Sequence, residues 1–241
     1  MNNPTMKQNK ITIFMNVLVL TALMFFLIWV NNSAQAKRSI PSTGRPNIVR
    51  LKTQQDIYNT YKLNDLWGVK VLHLNRFLNM ADYAPREEVR SSPYPIKTGD
   101  IRPLYEKGLD SHNWLYIASI SGMVRSVTTV LPGEIFMERS EAFKSDSFFS
   151  VRGKTIKGYS YDVPLRIVTL DDLPAINEPV VVNVDAGYFS SKTDPLMVAR
   201  MVKEKCPDIR MIILIDSIDE ADITSIMRGD LSRFVSAWSD I

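Results

Sequence analysis

The sequence is poor in the residues that build disulfides, zinc sites and histidine-dependent active sites. Its 241 residues include one cysteine, Cys206, and two histidines, His73 and His112. One cysteine excludes an intrachain disulfide and a cysteine-based zinc site, and two histidines exclude a zinc site with three histidine ligands. Cys206 lies just before a proline and has no signature of a catalytic thiol, so we expect it to be a small buried residue.

Motifs of nucleotide-binding loops and of serine hydrolases are also missing. The chain contains no G-x-x-x-x-G-K-[ST], no G-x-G-x-x-G and no G-x-S-x-G. The sequence also has no strong excess of positive or negative charge, since it contains 29 basic and 26 acidic residues. Lys7 and Lys10 are the only charged residues among the first 36, so the remainder is nearly neutral. This balance predicts no nucleic-acid partner.

One long hydrophobic run, Ile11–Val30, contains no charged residue. A helix of that length extends about 30 Å, the thickness of the hydrocarbon core of a bilayer. Lys7 and Lys10 precede the run and favour a cytoplasmic N-terminus. We therefore predict a single transmembrane helix in contact with membrane lipid. It would anchor the chain in a bacterial inner membrane, with the C-terminal domain in the periplasm or outside.

The sequence Ala34-Gln35-Ala36 leaves a second possibility open. It fits the A-x-A pattern of a signal peptidase site, and cleavage after Ala36 would make the domain secreted or periplasmic. The apolar run is longer than the roughly 7–15 residues of a cleaved signal, which favours the anchor.

Composition divides the chain into three parts. Residues 1–36 form the cytoplasmic tip and the membrane or signal segment. Residues 37–54 are predicted to be a linker, because Lys37–Asn47 is polar and contains Pro41, Gly44 and Pro46. Residues 55–241 form the folded domain.

Short apolar runs alternate with helical segments along this domain. Continuous apolar strands between helices are typical of a three-layer α/β fold, with a mostly parallel central sheet and helices on both faces. The predicted strands are Val69–Leu74, Ser126–Val130, Pro179–Val184 and Ile209–Ile215, with a hairpin or two edge strands around Gly158 in Thr155–Ile167; the predicted helices are Asn113–Ile120, Asp194–Cys206 and one or two helices in Asp219–Trp238.

In parallel α/β folds, functional groups lie at the carboxyl ends of the strands. That rule selects three segments: Asn75–Asn79, Asp185–Phe189 and Asp216–Asp219. Because Val69–Leu74 and Pro179–Val184 are both short apolar runs that end in a polar residue, we expect them to be parallel neighbours. Asn75 and Asp185 would then face each other at one edge of the sheet.

Four segments in order carry a family resemblance. They are VLHLNRFLNM (71–80), SHNWLYIASISGMVRSVTTVLP (111–132), VPLRIVTLDDLPAI (163–176) and EPVVVNVDAGYF (178–189). Their order and spacing, more than their identities, resemble the arginase/deacetylase superfamily, and most of all its branch that contains peptide arginases. The resemblance covers about residues 65–220.

The resemblance implies a metal pocket whose ligands have been lost. The superfamily holds two Mn²⁺-type ions or one Zn²⁺ between carboxylates and a histidine, which activate water for attack on a guanidinium or amide. Its ligand positions fall on Asn75, Phe77, Asn79, Asp185 and Gly187. Only Asp185 keeps a carboxylate, and one carboxylate is too little for a hard divalent ion. We therefore expect no bound metal or other cofactor, and for Asp185 the alternative role of bonding loop amides.

Three nearby polar residues, His112, Asp216 and Asp219, are candidates for replacing the lost ligands. The alternative for the two aspartates is to cap a helix over Glu220–Met227.

Three functional hypotheses follow from these observations. The first is a membrane-tethered, peptide-arginase-like domain without catalysis that binds or scaffolds a protein or small ligand. The second is a metal-dependent hydrolase of C–N bonds with a site rearranged around Asp185, Asp216 and a histidine. The third is an exported α/β domain unrelated to arginases.

Overall fold

The computed structural model of the chain describes residues 46–80, 108–160, 163–189 and 193–240. All of them belong to one compact unit, Ile40–Ile241. The predicted transmembrane segment Ile11–Val30 and the Ala34-Gln35-Ala36 site lie outside these ranges. Within them, no helix combines the length and apolar character needed to span a bilayer.

The protein has a mixed α/β fold with an eight-stranded, mostly parallel sheet. Across the described residues, the strands lie in the order β1-β8-β7-β2-β3-β6-β5-β4. Neighbours from β1 to β6 in this order are parallel, and β5 and β4 continue the sheet antiparallel. The strands are β1 (Asn47–Leu51), β2 (Val69–Leu74), β3 (Val124–Val130), β4 (Phe149–Arg152), β5 (Thr155–Ser160), β6 (Val163–Val168), β7 (Val180–Asp185) and β8 (Ile209–Ile215).

Helices connect the parallel strands. A single 3₁₀ turn, Ala186–Tyr188, follows β7 directly. In α4, Asp194 caps the N-terminus through its carboxylate, which accepts from the Leu196 amide at 3.1 Å, as the sequence predicts. The α-helices are α1 (Asp56–Leu63), α2 (Trp114–Ile120), α3 (Gly133–Lys144), α4 (Pro195–Lys205) and α5 (Ser225–Asp240).

The central strands are buried on both faces. Along β2, Val71 belongs to a hydrophobic cluster that includes residues of α1 and α2, whereas Leu72 and Leu74 belong to a second cluster with residues of α4 and α5. Every residue of β7 is buried. Burial from both sides explains why these strands are continuously apolar in the sequence. The predicted burial of Cys206 is confirmed, in the second cluster.

The predicted neighbours β2 and β7 are confirmed. They pair in parallel, with Leu72 opposite Val182 and Leu74 opposite Val184. Their carboxyl ends therefore meet at one edge of the sheet.

Two expectations about boundaries are wrong. The predicted linker 37–54 includes β1, which forms the sheet edge beside β8. A five-residue edge strand exposes much of its surface, so it lacks the apolar run that marks a central strand. The hairpin predicted within Thr155–Ile167 is confirmed by the antiparallel pair β5 and β6, but Gly158 lies inside β5, opposite Phe149 and Leu165, and not between the two strands.

Gly158 is required by the ring of Phe149. A Cβ at position 158 would lie 2.5 Å from Phe149 Cδ1 and 3.0 Å from the Phe148 carbonyl oxygen. The Phe149 ring also packs on Phe143, with the ring centroids 4.4 Å apart. Glycine at this position therefore lets β4 and α3 pack together.

We expect Gly158→Ala to lower the free energy of unfolding by roughly 1–3 kcal/mol, because the ring and the β4 backbone must move. Gly229→Ala in α5 is the control, since nothing lies within 4 Å of its Cβ position; alanine there should be neutral or stabilise by up to about 1 kcal/mol. Thermal unfolding of the detergent-solubilised full-length chain, followed by circular dichroism, measures both. Equal midpoints for the two variants would contradict this packing.

Candidate functional site

Buried polar side chains converge at the carboxyl edge of the sheet. Asn75 follows β2, Asp185 ends β7, Ser217 follows β8 and Gln54 follows β1. All four are completely buried. Buried polar groups are costly unless they are hydrogen-bonded, so their partners define the site.

The first half of the network is centred on Asp185. One carboxylate oxygen accepts from the Gly187 amide at 2.6 Å, and the other accepts from the Ser217 hydroxyl. Ser217 in turn accepts from Gln54 Nε2 at 3.4 Å. The alternative role predicted for Asp185, bonding a loop amide, is therefore present.

The second half joins Gln54 to two asparagines and a histidine. Asn75 Nδ2 donates to Gln54 Oε1 at 3.0 Å and to Asn79 Oδ1 at 2.7 Å, which uses both of its hydrogens. Asn79 Oδ1 also lies 2.8 Å from His73 Nε2. Since Asn79 Oδ1 is an acceptor, Nε2 must carry the hydrogen. His73 Nδ1 is then a buried acceptor without a hydrogen-bond partner among the described residues.

This surrounding keeps His73 neutral. Its side chain is fully buried at one end of the network. The imidazole packs edge to face on the Trp114 ring, with the ring centroids 5.5 Å apart. Burial lowers the pKa of His73 to about 4, and the hydrogen bond to Asn79 offsets only part of that shift. At neutral pH, His73 therefore adds no charge to the site.

Arg76 is the cation of the site. Its Nη2 pairs with Glu220 at 3.1 Å and with Asp222 at 2.5 Å. Its guanidinium lies 4.6 Å from the centre of the Phe77 ring. Nε is buried and makes no hydrogen bond with any described residue. The site thus carries its own fixed positive charge.

Gly187 lies where three groups meet. A Cβ at this position would be 2.9 Å from Asp185 Oδ1, 2.9 Å from Ile223 Cδ1 and 3.2 Å from Arg76 Nε. A side chain here would have to displace Arg76 or Ile223. Gly187 therefore allows Arg76 to lie beside Asp185.

The remaining predicted residues lie at the rim or outside the site. Phe77 is half-buried and contacts the exposed ring of His112, with centroids 5.9 Å apart. Asp219 accepts from the Ser111 hydroxyl at 2.5 Å, and the Ser111 carbonyl accepts from Asn79. Asp216 instead pairs with Arg50 of β1 at 2.7 Å.

The predicted capping role of the two aspartates is wrong. The last helix, α5, begins at Ser225, several residues beyond Asp216 and Asp219. The intervening segment is turn and loop, and the carboxylates bond to Arg50 and Ser111 in place of helix amides.

The residues at this edge do not fit a divalent metal ion. Asp185 supplies the one carboxylate at the five predicted positions, and both of its oxygens already accept hydrogen bonds. The oxygen of Asn75 accepts from the Arg76 and Phe77 amides, at 2.7 and 3.2 Å. Across the part of the chain that the structure describes, no group of three or more His, Cys, Asp or Glu side chains is arranged to hold a metal.

A groove of about 490 Å³ opens at the carboxyl ends of β3 and β6. Its walls come from the loops after β3 and β6, from α3 and α4, and from the turn after β7. Tyr188, which follows Gly187 in the chain, lines this groove. The wall is mostly apolar and includes Leu131, Pro132, Met137, Leu170 and Met197.

Four residues at this edge are not singled out from the sequence: Arg76 and Ser217 lie inside the predicted segments Asn75–Asn79 and Asp216–Asp219, whereas Gln54 and Glu220 lie outside them. One backbone signal accompanies them, because Ser217 has a φ of 45° and Asn79 a φ of 53°. Residues other than glycine rarely adopt this left-handed conformation, and functional sites concentrate it. It is a property of the folded chain and not of the residue types.

The buried carboxyl of Asp185 makes stability depend on pH. Burial raises its pKa from 3.8 to about 7, against the opposing hydrogen bonds from Ser217 and Gly187. The folded protein then holds this proton over a range in which the unfolded chain has lost it. The associated stabilisation is complete below about pH 4 and is lost as the pH rises to about 7.

Asp185→Asn should remove this loss, because the uncharged amide can accept from the Gly187 amide through Oδ1 and donate to the Ser217 hydroxyl through Nδ2. We expect the free energy of unfolding of the variant, relative to that of the unmodified chain, to increase as the pH is raised from 5 to 8. The increase should be about 4 kcal/mol at most. Asp194→Asn is the matched control, since asparagine is an equally good N-cap. Unfolding midpoints measured at both pH values test this. The same pH trend in Asp185→Asn as in the unmodified chain would assign the trend to another group.

No protein-family model matches this chain, and no characterised protein matches its sequence significantly. The likeness to peptide arginases therefore depends on the order of its motifs, and it is a hypothesis about this chain.

Proposed function

We propose that this protein is a membrane-tethered, exported domain of peptide-arginase-like origin that binds a protein or small ligand without catalysing a reaction. In this proposal, Ile11–Val30 anchors the chain in a bacterial inner membrane, and the α/β domain lies on the outer side. The mostly parallel sheet with helices packed against it supports this proposal.

The convergence of distant positions supports an arginase-like origin. Asn75 and Asp185 are far apart in the sequence, yet β2 and β7 pair in parallel and bring both to the same edge. Asn79 and Gly187 join them through contacts with Asn75 and Asp185.

The observation that carries the non-catalytic proposal is the closed network at those positions. Asp185, Asn75 and Asn79 use their oxygens for hydrogen bonds within the protein. Arg76 lies beside Asp185 and pairs with Glu220 and Asp222. This guanidinium places a positive charge beside the one carboxylate at the five positions, and that charge disfavours a metal ion there.

The groove beside the network supports a binding role. Its volume of about 490 Å³ falls within the range of ligand pockets, about 300–1,000 Å³. Met137 and Met197 stand partly exposed on its wall, and methionine adapts its shape to different partners.

The contacts do not favour the rearranged hydrolase. That hypothesis needs Asp185, Asp216 and a histidine around one ion. Asp216 pairs with Arg50, His112 is exposed against Phe77, and His73 bonds to Asn79.

We expect the purified full-length chain to hold less than about one Mn or Zn ion per ten molecules after dialysis, because a single carboxylate cannot offset desolvation of a divalent ion. It should release no urea from arginine or from arginyl peptides. Metal analysis and a urea assay measure these. Stoichiometric metal that is lost in Asp185→Ala would overturn the non-catalytic proposal and support the hydrolase.

Restoring the ligands should recover metal binding only when Arg76 is also removed. The fourfold variant Asn75→Asp, Phe77→His, Asn79→Asp, Gly187→Asp keeps a guanidinium within reach of the new carboxylate at position 187. Adding Arg76→Ala to it should raise Mn²⁺ affinity at least about tenfold. Calorimetry on both folded variants tests this, with Arg76→Ala alone as control. Equal, weak binding by both would mean that these positions never formed a metal pocket.

A reporter fusion tests the membrane topology. Alkaline phosphatase fused after residue 241 should be active, because this enzyme matures only outside the cytoplasm and Lys7 and Lys10 favour a cytoplasmic N-terminus. Deletion of Ile11–Val30 is the control and should abolish the phosphatase activity of the fusion. Mass spectrometry of the mature chain distinguishes a retained membrane anchor from a cleaved signal peptide, since a new N-terminus at Lys37 would show cleavage. An inactive fusion with the run intact would refute export.

A further inference from the structure

A row of four polar side chains crosses the sheet away from the carboxyl edge. Ser150 of β4 pairs with Lys157 of β5, Lys157 with Arg166 of β6, and Arg166 with Thr128 of β3. Directly paired residues point to the same face of a sheet. With strands about 4.8 Å apart, the row spans roughly 14 Å. Two hydroxyls therefore flank two adjacent cations.

The two cations have no counter-ion among the described residues. Lys157 is exposed and Arg166 is half-buried, and neither side chain forms an ion pair or a hydrogen bond with a described residue. Like charges directly opposite each other on neighbouring strands are destabilising. The fold thus holds two like charges side by side, and a bound anion would relieve their repulsion.

The same four side chains line a groove of about 620 Å³. Tyr159 and Phe148 also line it, and their side chains are 68% and 78% exposed. The acidic wall residue Glu178 is already paired with Lys70 and with Arg125, at 2.5 and 2.9 Å. The groove therefore combines uncompensated positive charge, hydroxyl donors and exposed aromatic rings.

We propose that this groove binds a small ligand that carries phosphate, through Lys157 and Arg166, with Ser150 and Thr128 as hydroxyl donors. A lone carboxylate would be satisfied by the fork of one arginine. Phosphate offers more acceptor oxygens and more charge, which matches two cations and the hydroxyls beside them. The exposed rings of Tyr159 and Phe148 provide a surface for the remainder of the ligand.

A nucleic acid is a poorer match. The domain is almost neutral, whereas binding a nucleic-acid backbone requires an extended basic surface. The groove has the volume of a small-molecule site. This proposal does not depend on the proposed function, because the groove involves the amino-terminal part of β2 and a different set of residues.

Acylation of Lys157 provides a direct test. The detergent-solubilised full-length chain is treated with an amine-reactive reagent, and modification of each lysine is followed by mass spectrometry as inorganic pyrophosphate is added. We expect pyrophosphate to slow modification of Lys157 with a midpoint near about 1 mM. Lys144, which is exposed on α3 and paired with Glu141, is the internal control and should not change.

Variants and salt controls make the outcome specific. Arg166→Gln should weaken protection of Lys157 at least about tenfold, whereas Lys144→Gln should leave it unchanged. Sodium chloride at matched ionic strength should not protect. Because substitution relieves a like-charge pair, Lys157→Gln and Arg166→Gln should melt no lower than the unmodified chain. Pyrophosphate should raise the unmodified chain's melting temperature and leave that of Lys157→Gln unchanged.

A second experiment distinguishes a soluble phosphate ligand from the phosphate of a lipid headgroup. The full-length chain in phosphatidylcholine nanodiscs is compared with and without phosphatidic acid, alongside soluble glycerol 3-phosphate. Protection by the soluble phosphates supports the proposed small ligand. No protection at about 10 mM pyrophosphate, protection that survives Arg166→Gln, equal protection of Lys144, or protection only by the phosphatidic acid surface would each overturn it.

Discussion

The free-energy cost of burying polar groups governs the arrangement at the carboxyl edge. Asp185, Asn75, Gln54 and Ser217 are all withdrawn from water, and each can remain there only by bonding to another. The result is one connected set of donors and acceptors that ties β1, β2, β7 and β8 together. The same cost keeps His73 neutral and raises the pKa of Asp185.

Charge at this edge is balanced from within the chain. Arg76 pairs with Glu220 and Asp222, and it lies close to Asp185 because position 187 has no side chain. A guanidinium differs from a metal ion in that it can neither be lost nor activate water as a Lewis acid. Charge pairs of this kind hold the edge together without a metal ion.

The sequence predicts best the strands that are buried on both faces. β2, β7 and β8 are short apolar runs because helices cover both sides of them, and their order brings Asn75 to Asp185. The edge strand β1 and the helix α3, which buries only Phe136 and Ser140, carry weak patterns. The hydrogen-bond partners in the buried network are harder still to predict from the sequence. Gln54 and Ser217 are 163 residues apart, and no local pattern in either segment refers to the other.

The position of β1 also has a mechanical consequence. It is the first element of the described domain, and it runs parallel to β8 toward the carboxyl edge, with five paired residues from Asn47 to Leu51. A pull on the chain before Asn47, opposed by a ligand held at that edge, would act along the strand axis. The hydrogen bonds between β1 and β8 would then be sheared together and not opened one after another. For a domain tethered at this end, the edge strand would serve as the element that carries the load.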